Sequence, residues 1–194
     1  MSCMFVGNEQ RVVEMMRLGY RSAIIRTTVP SVTWLRLRRI ARHLGVQKMD
    51  RGPLPTSRRL LRTAKSCLGG STLMTIYETL HSNANTVVDI AALEKALLIY
   101  SGIRTDYRSL GEYIDNNAAW VLARDLRSTD VFWADCSCGF RYLIANDSLR
   151  PDVCPACATQ KNTAQYKQKK KNAARSMLSA ATDNRFTAHV ALGP

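Results

Sequence analysis

Two close pairs of cysteines, Cys136/Cys138 and Cys154/Cys157, stand fifteen residues apart toward the C-terminal end of the chain. No other feature restricts the backbone as strongly. Four thiolates in two close pairs let a short loop fold back and present four sulfurs tetrahedrally, the coordination that structural zinc prefers. The spacer is long enough for one small hairpin, and Gly139 and Pro155 sit where a knuckle turn would be tightened. The spacing predicts one structural Zn2+ per chain, held by Cys136, Cys138, Cys154 and Cys157, and offsetting the small apolar content of this segment. The first pair has a single intervening residue, tighter than the usual two to four, a spacing that leaves room for one ligand to be displaced. Cys3 and Cys67 stand apart and read as ordinary small apolar residues.

Two catalytic uses of such cysteines fail on context. A redox pair at Cys154-Pro155-Ala156-Cys157 calls for a βαβ setting, whereas this pair follows another cysteine pair in a loop-rich segment. A zinc deaminase needs an upstream His-x-Glu. His43 is followed by Leu44-Gly45, His81 by Ser82-Asn83 and His189 by Val190-Ala191, so none supplies it. A closed site of four cysteines also leaves no position for an activated water. The metal is expected to be structural, no residue is assigned a catalytic role, and the chain is not expected to be an enzyme.

The rest reads as mostly α. Residues 9 to 44 form three consecutive helices: one through Val12, Val13, Met15, Met16 and Leu18, stopped at Gly19; a short one over 20–27; and, after Pro30, a third with Ser31 as N-cap, running to His43 or Leu44 and closed by Gly45. Asp50-Arg51-Gly52-Pro53-Leu54-Pro55 is turn and extended chain. A basic helix over 57–66 is interrupted at Gly69-Gly70 and resumes over 71–82. Thr86 and Asp89 have capping-box spacing and open a helix through Tyr100. Its apolar residues, Val87, Val88, Ile90, Leu93, Leu97, Leu98 and Ile99, cover most of its circumference, as in a buried helix. A last helix spans about Leu110 to Leu126, and β-prone runs follow at Val131-Phe132-Trp133 and 140–144. The organisation is a helix-turn-helix-like region over 1–50, a helical core and partner-binding region over 51–130, a four-cysteine region over 131–160 and a basic tail over 161–194, whose polar composition resists packing until bound.

The chain carries a net charge of +13, unevenly placed. Residues 1–66 hold fourteen basic and three acidic groups, 67–130 five and eight, and 131–194 nine and four. Basic ends around a mildly acidic, apolar middle suit a polyanion at the ends and a protein in the middle. No run of 18 apolar residues exists, and Cys3-Met4-Phe5-Val6 is too short for a signal peptide's apolar segment, which predicts a cytoplasmic protein without a membrane partner.

Placed at 100° per residue, the third helix gathers Thr33, Leu37, Ile40, Ala41 and Leu44 on one side. Ser31, Leu35, Arg38, Arg39 and Arg42 gather on the other, with Arg36 flanking them. An all-arginine charged face after a short helix and tight turn is what major-groove docking requires, because the guanidinium fork can take guanine O6 and N7 together or clamp a phosphate. Ser31, Arg36, Arg38, Arg39 and Arg42 are the candidate DNA-binding residues here, joined by Lys167, Lys169, Lys170, Lys171 and Arg175 in the tail. The competing class is a zinc-ribbon RNA-binding or ribosome-associated protein. A binder of single-stranded RNA interleaves aromatics with its basic groups, whereas residues 36–65 and 161–175 hold one aromatic between them, Tyr166. Duplex DNA fits better.

The layout resembles the FlhC family, the larger subunit of the bacterial flagellar master activator. The resemblance is carried by the run Arg11-Val12-Val13-Glu14-Met15-Met16-Arg17-Leu18-Gly19-Tyr20-Arg21, the arginine-rich helix, Gly52-Pro53-Leu54-Pro55, Trp120, and the cysteines followed by a basic tail. It implies a mostly helical protein with a zinc site of four cysteines that associates with a small helical FlhD-like partner, binds double-stranded promoter DNA and recruits RNA polymerase. It also implies a place on the bacterial nucleoid when DNA-bound. Similar activators on conjugative elements switch on transfer genes, so the resemblance leaves flagellar and conjugative promoters both open.

Overall fold

The computed structural model describes residues 2–46, 52–84, 86–106, 112–146 and 154–160. Helices α1 (Ser2–Arg17), α2 (Ser22–Thr28), α3 (Trp34–His43), α4 (Ser57–Leu60), α5 (Ala64–Leu80), α6 (Ile90–Asp106) and α7 (Asn116–Arg127) precede a hairpin of β1 (Val131–Asp135) and β2 (Arg141–Ala145). Residues 155–160 are again helical. The fold is mostly helical, with a small hairpin and a C-terminal cluster of four cysteines, two at the hairpin's tip and two after it, as the sequence predicts. No helix among the described residues is long and apolar enough to cross a membrane.

The first and third helices stop where their glycines predict. At the end of α3, Gly45 adopts φ +69°, Val46 N–H reaches Ala41 O (2.9 Å) and Gly45 N–H reaches Arg42 O (3.1 Å), the left-handed closure that a β-carbon disfavours. Gly19 closes α1 in the same way. The N-cap of α3 differs from expectation. Val32 is buried and donates to Val29 O (3.0 Å), which keeps 29–32 in a turn, so the helix opens two residues later on Thr33, whose hydroxyl accepts from Arg36 N–H (3.3 Å). Ser31 accepts from Asn8 Nδ2 instead (3.3 Å).

In the middle, the break expected at Gly69-Gly70 is absent: α5 runs straight through both glycines. The interruption falls at 61–63, where Thr63 and Ser66 form a reciprocal capping box (3.0 and 3.1 Å). A β-carbon at Gly69 would stand 2.5 Å from Tyr100 Oη and 3.2 Å from Glu112 O, and one at Gly70 would stand 3.0 Å from Leu61 Cδ2. Gly69 lets α6 and the segment before α7 approach α5 closely, Gly70 admits Leu122 of α7 and Leu61, and the packing outweighs glycine's weak helix propensity.

The capping box expected at Thr86 and Asp89 also resolves differently. Asp89 opens α6, its Oδ1 accepting from Ala91 and Ala92 N–H (2.8 and 3.2 Å), while Thr86 donates to Asn83 O (3.0 Å). Helix α6 continues past Tyr100 and is not wholly buried, since Leu98 is 73% and Ile99 44% exposed. The start expected for the last helix at Leu110 lies outside the described residues. Residues 112–115 are not helical, and α7 opens at Asn116 because Asp115 Oδ1 accepts from Ala118 N–H (2.7 Å).

A single apolar cluster joins these elements: Val12, Met15, Ile24 and Leu37 from the first three helices, Leu73, Tyr77, Leu93 and Leu122 from the next, and Val131 and Leu143 from the hairpin. Two asparagines tie α7 to the α1–α2 turn. Asn116 Nδ2 donates to Leu18 O (2.7 Å); Asn117 Nδ2 donates to Gly19 O (3.0 Å) and its Oδ1 accepts from Arg21 N–H (2.8 Å). Arg11 adds a two-pronged ion pair from α1 to Glu94 on α6 (3.1 Å each). The three-helix unit is thereby anchored to the helical body.

Candidate metal centre and nucleic-acid interface

The hairpin pairs antiparallel from Val131↔Ala145 to Asp135↔Arg141, which delivers Cys136 and Cys138 to its tip. There Cys136 N–H donates to Phe140 O (3.1 Å), Gly139 N–H donates to Cys136 O (2.9 Å), and Gly139 takes φ +83°. This tight turn brings the first two sulfurs toward the second pair. Cys154 precedes the helical residues 155–160, and the Cys157 amide donates to its sulfur (3.3 Å). All four Sγ atoms lie within 4.8 Å of one another, with Cys138 and Cys154 at 3.6 Å. A tetrahedral site with metal–sulfur bonds of about 2.3 Å has sulfurs about 3.8 Å apart, so the cluster is compact enough to close on one ion. Cys136 belongs to the set despite its tight spacing.

The protonation of the cluster points the same way. The backbone amide of Cys138 and hydrogen bonds from neighbouring thiols bring Cys136 down to about 6. Hydrogen bonding with Cys154 and Cys138 pushes Cys157 up to about 12, and burial raises Cys154. A dication held by all four sulfurs would favour the ionised form of each. Four soft sulfur donors in this arrangement can hold a metal ion, and with every ligand a cysteine the site is closed.

Helix α5 supplies a supporting layer that the sequence reading missed. Cys67, read as an ordinary apolar residue, is indeed buried, but against Ala134, Tyr142, Ile144 and Cys154. Its S–H donates to Leu143 O (3.4 Å), and burial pushes its thiol up to about 11. Ser71 accepts from Leu143 N–H (2.9 Å). Glu78 takes Trp133 Nε1–H (2.7 Å) and Arg141 (3.3 Å), while Arg141 lies over the Trp133 ring at 4.3 Å. Residues 67, 71 and 78 have the spacing of one helix face, a signal visible in the sequence. What that face would meet, some seventy residues onward, was not.

On α3, Leu37 and Ala41 are buried, while Leu35, Arg38, Arg39 and Arg42 are exposed, as the helical wheel predicts. None of these three arginines forms an ion pair among the described residues, whereas Arg36 is engaged by Glu9 of α1 at 2.6 Å. Other arginines are tied to the body: Arg11 to Glu14 and Glu94, Arg124 to Asp125, Arg141 to Glu78. The structure thus brings Arg38, Arg39 and Arg42 onto one free face, sets Arg36 beside it in a pair, and puts Ser31 in the preceding turn. Lys167, Lys169, Lys170, Lys171 and Arg175, with the rest of the tail, lie outside the described residues.

The fold and site define a mostly helical protein that combines a cationic helix-turn-helix-like unit with a closed four-thiol centre capable of holding a metal. The chain matches the family model described as flagellar transcriptional activator (FlhC) over residues 5–172 and belongs to that family. The family is one of transcription regulators rather than enzymes, and the matched span includes all four cysteines and the arginine face. No curated protein matches the chain significantly.

Proposed function

We propose that the chain is a DNA-contacting, zinc-bearing subunit of a transcription activator, which reads duplex promoter DNA through α3 and positions RNA polymerase with the help of an FlhD-like helical partner. The observation that carries this reading is the face of Arg38, Arg39 and Arg42, exposed and unpaired among the described residues on a helix anchored by its opposite side. Partnership is supported by apolar groups left open around one groove, Leu18, Leu98 and Tyr113. The donor set supports zinc. The promoters served are flagellar, as the family's description suggests, or those of conjugative transfer, and the work belongs on the nucleoid in a bacterial cytoplasm.

Titration of the chain, co-expressed with its partner, on a cognate and a scrambled duplex at several salt concentrations tests the reading. Arg38→Ala and Arg42→Ala are expected to cost roughly 1–3 kcal/mol on the cognate site and much less on the scrambled one. Equal loss on both duplexes would remove α3 from the role of reader. Preference for single-stranded RNA over both duplexes would favour the zinc-ribbon RNA-binding class instead.

A further inference from the structure

Leu35 is the second residue of α3 and is 76% exposed, more than any other large apolar side chain identified among the described residues. Lone exposed leucines are common on protein surfaces and by themselves signify nothing. This one is placed by its neighbours. Arg38, Arg39 and Arg42 follow it at three, four and seven residues, which puts all four on one helix face, and all are exposed. An apolar protein partner covering Leu35 would have to bury those arginines as well. A nucleic acid satisfies both demands at once. Its phosphates and guanine edges take the guanidinium groups, and the major groove displays one apolar group, the C5-methyl of thymine.

Position along the helix supports the same occupant. In helix-turn-helix docking the N-terminal residues of the second helix approach the base edges, and Leu35 lies in that first turn, directly after the Thr33 cap and Trp34. We infer that Leu35 is a specificity-determining residue that packs on a thymine methyl, while the arginines one and two turns further along take the neighbouring polar edges. The helix rises about 1.5 Å per residue and base pairs stack about 3.4 Å apart, so the thymine lies within about three base pairs of the guanine or phosphate met by Arg42. The inference rests on the DNA-binding reading above and adds the base and the chemical group that are read.

The test begins with selection of preferred duplexes from a random pool by the full chain with its partner. Each thymine of the selected site is then replaced in turn by uracil, which keeps the base pair and deletes only the methyl. At one position the parent chain is expected to lose about fourfold in affinity, the equivalent of burying one methyl-sized group. Leu35→Ala is expected to bind the parent site more weakly and to be indifferent to that same replacement, with its thermal unfolding unchanged because the side chain is exposed. If no thymine-to-uracil replacement separates the two proteins, or if Leu35→Ala binds the selected site as tightly as the parent, the assignment of Leu35 is overturned while DNA binding stands. A chain that selects no duplex overturns both.

Discussion

A single β-carbon separates the two behaviours that glycine shows in these helices. Gly69 lies under the hydrogen bond from Tyr100 Oη to Glu112 O (2.8 Å), with both oxygens inside the reach of an added methyl. Gly102 of α6 has nothing within 4 Å of that position. Helix propensity favours alanine by about 1 kcal/mol at either site. At Gly69 overpacking of roughly 1–3 kcal/mol and disturbance of a hydrogen bond worth about 1 kcal/mol oppose it and win. Gly69→Ala is therefore expected to lower the unfolding temperature by several degrees and Gly102→Ala to raise it slightly, at about 2–4 °C per kcal/mol for a chain of this size. Calorimetry on both variants checks the pair. Equal stabilisation by the two substitutions would mean that α6 does not approach α5 as closely as described.

At the scale of elements, the hairpin depends on what lies on either side of it. Two five-residue strands are marginal alone. Cys67 and Ser71 of α5 bond to the outward-facing backbone of Leu143 on β2, Glu78 holds Trp133 and Arg141, and the tip is drawn together by the four cysteines. A bound metal would contribute its binding free energy directly to the order of this segment. Purified protein is expected to hold one zinc per chain, lost when Cys154 and Cys157 are both replaced by Ser. Chelation should speed alkylation of the buried Cys67 thiol while most of the helical circular dichroism survives, because the α5–α7 core is apolar and does not include the ligands. Mass spectrometry of labelled peptides reads the first effect. Unchanged Cys67 labelling after metal removal would show that α5 holds the hairpin without the ion.

For the whole molecule, the two basic ends are expected to fail differently. Arginines on a packed helix can read base edges, whereas Lys167, Lys169, Lys170, Lys171 and Arg175 belong to a polar segment suited to phosphates. Deletion of residues 161–194 should weaken binding to all duplexes about equally and flatten the salt dependence by roughly one unit of slope for each phosphate left un-neutralised. Fluorescence titrations over a range of salt concentrations measure both. Loss of the cognate preference alone would place base reading in the tail.

What the sequence determined alone is what neighbouring residues decide among themselves. The stops at Gly19 and Gly45 follow from one residue's conformational freedom, the sides of α3 from its own periodicity, and the cysteine centre from spacing within a single short loop and its return. The tertiary structure decided whatever depends on partners far along the chain. Arg36 resembled its three neighbouring arginines until Glu9, twenty-seven positions earlier, paired with it. Gly69-Gly70 reads as a helix break until Tyr100 and Glu112 take the space beside Gly69 and Leu61 and Leu122 that beside Gly70. Leu98 and Ile99 read as core because an apolar circumference looks the same whether or not a neighbour covers it. Cys67 and Ser71 received the hairpin only because Leu143, more than seventy positions later, folds back on them. Periodicity and capping act over a few residues, whereas pairing and close approach are settled by which surfaces the chain brings together when it buries its core.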